Sequence, residues 1–340
     1  MRSAPLADAP GIREPLHAPV AHLTRGGVIE GMHYGSLVVL GADGEVRFAL
    51  GDIEAACYPR SALKPVQAVA MVRAGLPLDG ALLSLASASH SGEERHLAGV
   101  RQILTLAGAT ESDLGNVPDL PYDPAVRATW TRQGRPPSRL AQNCSGKHAA
   151  MLYTCTLAGW PRETYLDPAH PLQRAIGEAV EELTGQRTAH VTVDGCGAPL
   201  FSISLHGLAR AAARIATAAP GTAEHRVAEA LRGHPEMASG AGRDVAELMR
   251  AVPGLITKDG FEGVQVAALP DGRAVAVKIA DGANRARIPV TAAALAMAGA
   301  DPRLLARFTE QPVTGGGLSP GAVRPVPALA ATTAPAPAPA

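Results

Sequence analysis

The sequence has few aromatic residues, no excess of either charge and no long apolar run. Lys plus Arg and Asp plus Glu both number 31 among 340 residues, and aromatic residues make up 3%. Without a basic stripe, the composition predicts no nucleic-acid partner. No apolar run could span a membrane, and the N-terminal residues lack the apolar stretch of a secretion signal. We therefore expect a cytoplasmic protein that does not contact membranes.

Cysteine is also scarce, and the four cysteines are Cys57, Cys144, Cys155 and Cys196. In a reducing compartment we expect free thiols or metal ligands rather than disulfides. Their wide spacing matches no zinc-finger pattern.

The remaining composition predicts one large domain with two less ordered ends. Hydrophobic residues make up 46% of the chain, which is enough for a large core. Residues 1–18 are proline-rich and predicted to be flexible, and residues 313–340 are predicted to be a disordered tail that ends in Ala/Pro repeats. Residues 19–312 are predicted to form a single domain with two lobes.

The order of the predicted elements indicates an α/β fold of the α+β type. Two strand pairs, around Asp43-Gly44 and Asp271-Gly272, read as β-hairpins because Asp-Gly favours tight turns. The chain between them is predicted to be mainly helical, with segments near 94–108, 147–158, 171–185 and 200–216. We therefore expect an antiparallel sheet built from the N- and C-terminal segments, with a helical middle.

A Ser-x-x-Lys motif, Ser61 to Lys64, precedes an apolar run that reads as a buried helix. Pro65 favours the first helical turn, which predicts that Ser61 and Lys64 lie at the helix start. Residues three apart on a helix can touch, and a neutral lysine amine can take the proton of a serine hydroxyl. The free amine has a pKa of about 10.4, whereas an effective base needs about 7 to 8. The motif is weak by itself, and a capping serine with a surface lysine is an equal alternative.

A second segment, Ser89-His90-Ser91, offers another hydroxyl. Ser91 has a structural explanation, since Ser91-Gly-Glu-Glu94 is a capping box that would open a helix. Ser89 has none, so we favour Ser89 for chemistry. His90 could serve as a base or could simply be a hydrogen-bonded histidine.

Thiols and amines also occur together. Cys144 precedes Lys147 at a predicted helix start, where the lysine and the helix terminus should lower the thiol pKa. Cys196 lies between two glycines. Two thiolates and one nitrogen donor could bind zinc, with composition favouring His148 over Lys147 as the third ligand. The alternative is two ordinary buried cysteines, and Cys155 reads as a core residue.

Two lysines near the second hairpin, Lys258 and Lys278, lie beside Asp-Gly turns. Either could be the second cation that favours a neutral amine on a neighbouring lysine. Each could equally be a surface lysine.

Taken together, these segments resemble the L-asparaginases of the serine–lysine, zinc-containing class. This asparaginase II family is related in fold to serine β-lactamases and glutaminases. The matching segments are YPRSALKPVQ (58–67), ASHSGE (88–93), NCSGKHAAML (143–152), VDGCGAPLF (193–201), TKDGFEGV (257–264) and VKIADGANRA (277–286).

The resemblance assigns roles to residues of this chain. It implies two catalytic pairs, Ser61 with Lys64 and Ser89 with Lys258. It implies that Zn²⁺ is bound by Cys144, Lys147 and Cys196, in place of the His148 ligand that composition favoured. It implies that substrate is bound by Arg60, Asp194 and His148. The implied protein is a homodimer that hydrolyses L-asparagine to L-aspartate and ammonia through an acyl-enzyme.

Two other functions remain open from the sequence. One is a β-lactamase-like serine amidase or esterase that acts on another substrate. The other is a zinc-binding protein that keeps the fold without catalysis.

Overall fold

The computed structural model describes residues 14–330, and residues 1–13 and 331–340 lie outside the described part. Most of the predicted flexible segment 1–18 and the last part of the predicted tail 313–340 therefore lie outside it too.

An antiparallel sheet of eight strands forms the centre of the described chain. The described residues contain ten strands, of which eight belong to this sheet. They are β1 (Ala18–Arg25), β2 (Val28–Leu40), β3 (Val46–Leu50), β4 (Val191–Val193), β5 (Pro199–Phe201), β6 (Ile256–Gly260), β7 (Val264–Ala268), β8 (Ala274–Ile279), β9 (Gln311–Gly315) and β10 (Leu318–Pro325). The order across the sheet is β6-β7-β8-β2-β1-β10-β9, with β3 paired to β2, while β4 and β5 form a separate pair. The sheet thus comes from both ends of the chain, as predicted.

The middle of the chain supplies most of the helices. They are α1 (Lys64–Arg73), α2 (Gly80–Ala86), α3 (Glu94–Leu106), α4 (Pro124–Arg132), α5 (Ser145–Ala158), α6 (Pro171–Thr184), α7 (Leu205–Ala216), α8 (Ala223–Gly233), α9 (Pro235–Ala238), α10 (Asp244–Ala251), α11 (Arg287–Met297), α12 (Pro302–Leu305) and α13 (Pro327–Ala330). No helix in residues 14–330 is long and apolar enough to cross a membrane.

The sheet separates two hydrophobic cores. Successive side chains of a strand point to opposite faces, and β2 shows this directly. Val38 and Leu40 pack into the core shared with the middle helices, whereas Leu37 and Val39 pack into the core beneath α11. Both faces are therefore covered, which explains why β7 is buried at every position.

Three local predictions differ from the structure. The helix predicted from residue 200 begins at Leu205, because Pro199–Phe201 pairs with β4 instead. Helix α3 begins at Glu94 without a side-chain cap, so the capping role predicted for Ser91 is wrong. Residues 313–325 belong to strands rather than to a disordered tail, because β10 pairs with β1 and buries Val323.

Strand β2 passes close to β8 at Gly35, which gives a stability prediction. A Cβ atom at Gly35 would meet the backbone oxygen of Lys278. Because a backbone oxygen of a central strand cannot move aside, we expect Gly35→Ala to lower the free energy of unfolding by about 1–3 kcal/mol. Chemical denaturation measures this change.

The matched control is Gly233→Ala, at an exposed helical glycine with open space around a new Cβ. We expect this variant to be neutral or more stable by up to about 1 kcal/mol, since alanine favours helix. Equal stability of Gly35→Ala and the wild type would contradict the close approach.

Candidate active site

Ser61 and Lys64 lie where a 3-10 turn, Arg60–Leu63, runs into α1. Pro65 occupies the first turn of the helix, and the following residues to Val72 are buried. This confirms the predicted helix start and the predicted interior helix. Arg60 has a φ of +53°, a left-handed conformation that side chains other than glycine adopt only at a cost. The turn that presents Ser61 is therefore conformationally strained.

The Lys64 amine forms its hydrogen bonds with groups other than Ser61. Its Nζ donates to Ser89 Oγ (3.0 Å) and to the backbone oxygen of Ala88, and it lies 3.2 Å from Cys144 Sγ. Ser61 is not among its hydrogen-bond partners in residues 14–330. The direct Ser61–Lys64 contact expected from helical spacing is thus replaced by a Lys64–Ser89 contact.

Ser89 is held between two buried lysines. Its Oγ lies 3.0 Å from Lys64 Nζ and 3.1 Å from Lys258 Nζ. Lys258 comes from β6, at the edge of the sheet, and both amines are almost completely buried. Because an ammonium donates hydrogen bonds and accepts none, a Ser89 hydroxyl proton directed at either lysine requires that amine to be neutral.

The pKa of Lys258 is lowered to about 8. Burial is the largest cause, because a charged amine loses its hydration in the interior. The carboxylate of Asp259 opposes this shift and the charge of Lys64 adds to it. Lys258 is thus the lysine whose pKa is lowered, with Lys64 as a neighbouring cation, whereas Lys278 donates to the backbone oxygens of Glu262 and Ile279.

Asp259 and Arg243 complete this cluster, and sequence reasoning missed both. Arg243 donates to Asp259 Oδ2 (2.8 Å) and to the backbone oxygen of Ser89. Burial alone would raise the pKa of Asp259, but Lys258, Arg243 and Arg287 hold it well below its usual range. Asp259 had appeared to be a turn residue in Asp-Gly, while Arg243 has no signal in its local sequence.

The neighbours of Ser89 have structural roles. His90 is fully buried, with Nε2 2.8 Å from Ser145 Oγ and Nδ1 accepting the Gly92 N–H (3.1 Å). Burial lowers its pKa well below 6.5, so the ring is neutral. This matches the hydrogen-bonded alternative for His90. Ser91 Oγ is buried without a hydrogen-bond partner in the described residues.

Two cysteines and a lysine meet beside this cluster. Cys144 and Lys147 lie at the start of α5, and Cys196 lies in the loop between β4 and β5. Lys147 Nζ lies 3.3 Å from Cys196 Sγ, and the two thiols influence each other's pKa. All three side chains are buried.

The charge is divided unequally between these thiols. The side-chain interaction with Cys144 is the largest cause of the low pKa of Cys196, and Lys147 lowers it further. The same interaction, together with burial, raises the pKa of Cys144. The lowered thiol pKa predicted for Cys144 therefore belongs to Cys196. Burial alone would lower the pKa of Lys147, but the sulfur charges raise it.

This group fits a zinc site by its donor set. Two sulfurs and a nitrogen converge in a dry interior, which suits a metal that binds thiolates and nitrogen. Among residues 14–330, no group of three His, Cys, Asp or Glu side chains that could hold a metal ion is found. His148, which composition favoured, instead places Nδ1 2.6 Å from Tyr165 Oη. Cys155 is a core residue, as expected.

Arg60 and Asp194 bring the loop between β4 and β5 to the strained turn. Arg60 Nε donates to Asp194 Oδ1 (2.7 Å). Burial alone would raise the pKa of Asp194, but Lys147 and Arg60 lower it, so the carboxylate is ionised. The pair supplies one positive and one negative group near Ser61. His148 is fully buried and has the poorest access among the three predicted substrate-binding residues.

Ser61 and Ser89 share one small cavity. Its free volume is about 10 Å³, space for about one water molecule, and it is lined by Ser61, Ser89, Tyr122, Asn143, Asp259, Gly260, Phe261 and Asn284. Two hydroxyls and an ionised carboxylate thus line this space, and the amines of Lys64 and Lys258 contact Ser89. Such a site can activate a hydroxyl and transfer an acyl group.

Comparison with known protein families indicates that the protein is a hydrolase. A sequence model of the L-asparaginase II family matches residues 21–325. That range covers most of the chain, and the protein belongs to the L-asparaginase II family. A search of curated proteins gives no match.

Solved structures give only distant similarity. A β-lactamase from Mycobacterium bovis is 15% identical, with 74% of this chain and 89% of that chain covered and a TM-score of 0.42. Mglu in its native form is 16% identical, with coverages of 76% and 62% and a TM-score of 0.37. EstCE1, described as a hydrolase with promiscuous acyltransferase activity, is 14% identical, with coverages of 77% and 88% and a TM-score of 0.36.

The Lys258 amine gives a pH prediction. A base must be neutral to accept a proton, so acylation of the site by p-nitrophenyl acetate should rise with pH around a midpoint of about 8. Asp259 favours the charged amine, so Asp259→Asn should move this midpoint to lower pH. Stopped-flow release of p-nitrophenolate measures both profiles.

Asp259→Glu is the control, because it keeps the negative charge. Its midpoint should stay close to that of the wild type. A midpoint that rises in Asp259→Asn, or that is the same in all three proteins, would show that Lys258 does not control acylation.

Proposed function

We propose that the protein hydrolyses the side-chain amide of L-asparagine, giving L-aspartate and ammonia through an acyl-enzyme. The observation that carries this proposal is the Ser89 hydroxyl held between Lys64 and Lys258, in the same small cavity as Ser61. Membership of the L-asparaginase II family supports amide hydrolysis as the reaction class.

In this proposal Ser61 attacks the amide carbon. Ser61 lies at the start of α1 and is slightly more exposed than Ser89 (7% against 4%). Its hydroxyl is not occupied by Lys64, so it is available to a substrate. The Ser61 proton passes to the amine pair through Ser89, whose Oγ contacts both lysines. The proton then leaves with ammonia, and water releases aspartate by the reverse transfer.

Ser89 acts as a proton relay because it lies between two amines, one of which can be charged while the other is neutral. An ammonium on one side can donate to its oxygen while a neutral amine on the other accepts its proton. The pKa of about 8 for Lys258 makes both forms available near neutral pH. Backbone N–H groups at the strained turn can stabilise the oxyanion.

The Arg60–Asp194 pair fits the charged end of an amino acid. A guanidinium binds a carboxylate, and a carboxylate binds an ammonium, so the pair matches the α-carboxylate and α-ammonium of asparagine. Substrate would exchange the internal ion pair for two charge-assisted contacts. The homodimer and the cytoplasmic location stay predictions from the sequence.

We also propose that Cys144, Lys147 and Cys196 bind Zn²⁺. The convergence of these three buried donors supports this, since the sulfurs and the amine already interact with one another. When bound, zinc would supply an open coordination position for the amino or carboxylate group of the substrate. Lys147 must lose its proton to bind the metal, so zinc affinity should increase with pH.

The first test measures ammonia release by purified protein from asparagine, beside glutamine and a chromogenic cephalosporin. We expect ammonia from asparagine and a loss of at least about 1000-fold in Ser61→Ala, because the attacking oxygen is gone. Ser89→Ala should slow turnover while mass spectrometry of proteolytic peptides still finds the acyl group on Ser61.

Ser112→Ala, an exposed serine on another part of the surface, is the control and should retain full activity. Turnover of cephalosporin without ammonia release from asparagine would rule out an asparaginase. An acyl group on Ser89 in the wild type would reverse the roles of the two serines.

The second test measures zinc content. We expect about one zinc per chain in the wild type and strong loss in Cys144→Ser and Cys196→Ser, because each variant removes a thiolate ligand. Elemental analysis after dialysis gives the content. Cys155→Ala is the control on the same helix and should keep its zinc, whereas equal zinc content in all variants would refute the ligand set.

A further inference from the structure

Two aromatic rings form the outer wall of the cavity. Tyr122 and Phe261 both line it, and their ring centroids lie 6.1 Å apart in an edge-on arrangement. Phe261 is 50% exposed although it borders the two hydroxyls, whereas Tyr122 is partly buried. A large apolar ring kept half in water at a polar site needs an explanation.

Each ring lies beneath an arginine of the site. The Arg60 guanidinium lies 5.7 Å from the centroid of Phe261, and that of Arg243 lies 4.6 Å from the centroid of Tyr122. Cation–π contacts of this kind are individually weak compared with the packing of a buried ring. The rings are therefore held in place by contacts that are weak enough to break.

Backbone strain is concentrated at the same opening. Among the described residues, the non-glycine residues with positive φ are Arg60 (+53°) and Glu262 (+61°). Arg60 precedes Ser61, and Glu262 follows Phe261 in the short turn from β6 to β7. Strain of this type persists where the surrounding structure requires it, and it is common at functional sites. Here the two strained residues adjoin Ser61 and Phe261, which both line the cavity.

The opposite wall cannot widen. A Cβ atom at Gly260 would meet the backbone oxygen of Pro59, so β6 lies directly against the turn that carries Ser61. The cavity can therefore enlarge only where side chains can turn, and Phe261, exposed and at the tip of a turn, is the freest of them.

We propose that Tyr122 and Phe261 form a gate that restricts the site to short acyl groups. The gate opens by rotation of Phe261 and closes behind the substrate. The free volume of about 10 Å³ holds about one water molecule, so any acyl group requires the gate to move, and a longer acyl chain requires a wider opening. This inference rests on the proposed acyl-transfer function and specifies the size of its substrates.

The test compares two activated esters that differ in acyl length, p-nitrophenyl acetate and p-nitrophenyl hexanoate. For each protein we measure kcat/KM for both esters. We expect the wild type to prefer acetate and Phe261→Ala to raise the hexanoate-to-acetate ratio about 10-fold or more, since a single misfitting methylene can cost that factor. Phe261→Trp should lower the ratio, and Tyr122→Ala should raise it.

Leu106→Ala is the matched control, because Leu106 is similarly exposed (48%) and lies on α3 away from the cavity. Its ratio should equal that of the wild type. Thermal unfolding of each variant confirms that it is folded.

An unchanged ratio in both Phe261→Ala and Tyr122→Ala would overturn the gate, as would failure of both esters to acylate the wild type and Phe261→Ala alike. A shifted ester ratio without ammonia release from asparagine would leave the gate intact and reject the proposed amide substrate. Ammonia release from asparagine with an unshifted ester ratio would reject the gate and leave the proposed amide substrate intact.

Discussion

The structure of the site depends on the burial of lysine amines beside one another. Lys64, Lys147 and Lys258 are among the largest fully buried side chains of the described residues. A buried ammonium loses its hydration and repels a second one, so these amines need partners or must lose protons. Asp259 provides a partner for Lys258, Cys196 provides one for Lys147, and Ser89 connects Lys258 to Lys64. Burial of an amine costs free energy because the ammonium loses its hydration. The same burial favours the neutral amine, which can accept a proton.

The fold meets this constraint by bringing distant segments together. Helix α1, the loop before α3, the start of α5 and the edge strand β6 each contribute one part of the cluster. Two ion pairs link further segments, since Arg60 bonds Asp194 and Arg243 bonds Asp259. In both pairs the arginine also covers an aromatic ring at the cavity mouth. The proposed substrate-binding residue Arg60 thus also contacts the proposed gate residue Phe261.

The proposed zinc group and the proposed catalytic group are physically connected. Lys64 Nζ contacts both Ser89 Oγ and Cys144 Sγ, and Cys144 and Cys196 influence each other's pKa. The Lys64 amine thus connects Cys144 of the proposed zinc group with Ser89 of the proposed catalytic group.

Local sequence patterns determined much of this protein. Asp-Gly turns located both hairpins, Pro65 located the start of α1, and apolar runs located the interior helices, because these signals act over a few residues. The resemblance in six motifs also identified the family. Tertiary structure alone decided that Lys64 contacts Ser89 and not Ser61, that Cys196 is the acidic thiol, and that Arg243, Asp259, Tyr122 and Phe261 belong to the site. These outcomes depend on contacts between residues far apart in the chain and on burial, and neither is encoded in local spacing.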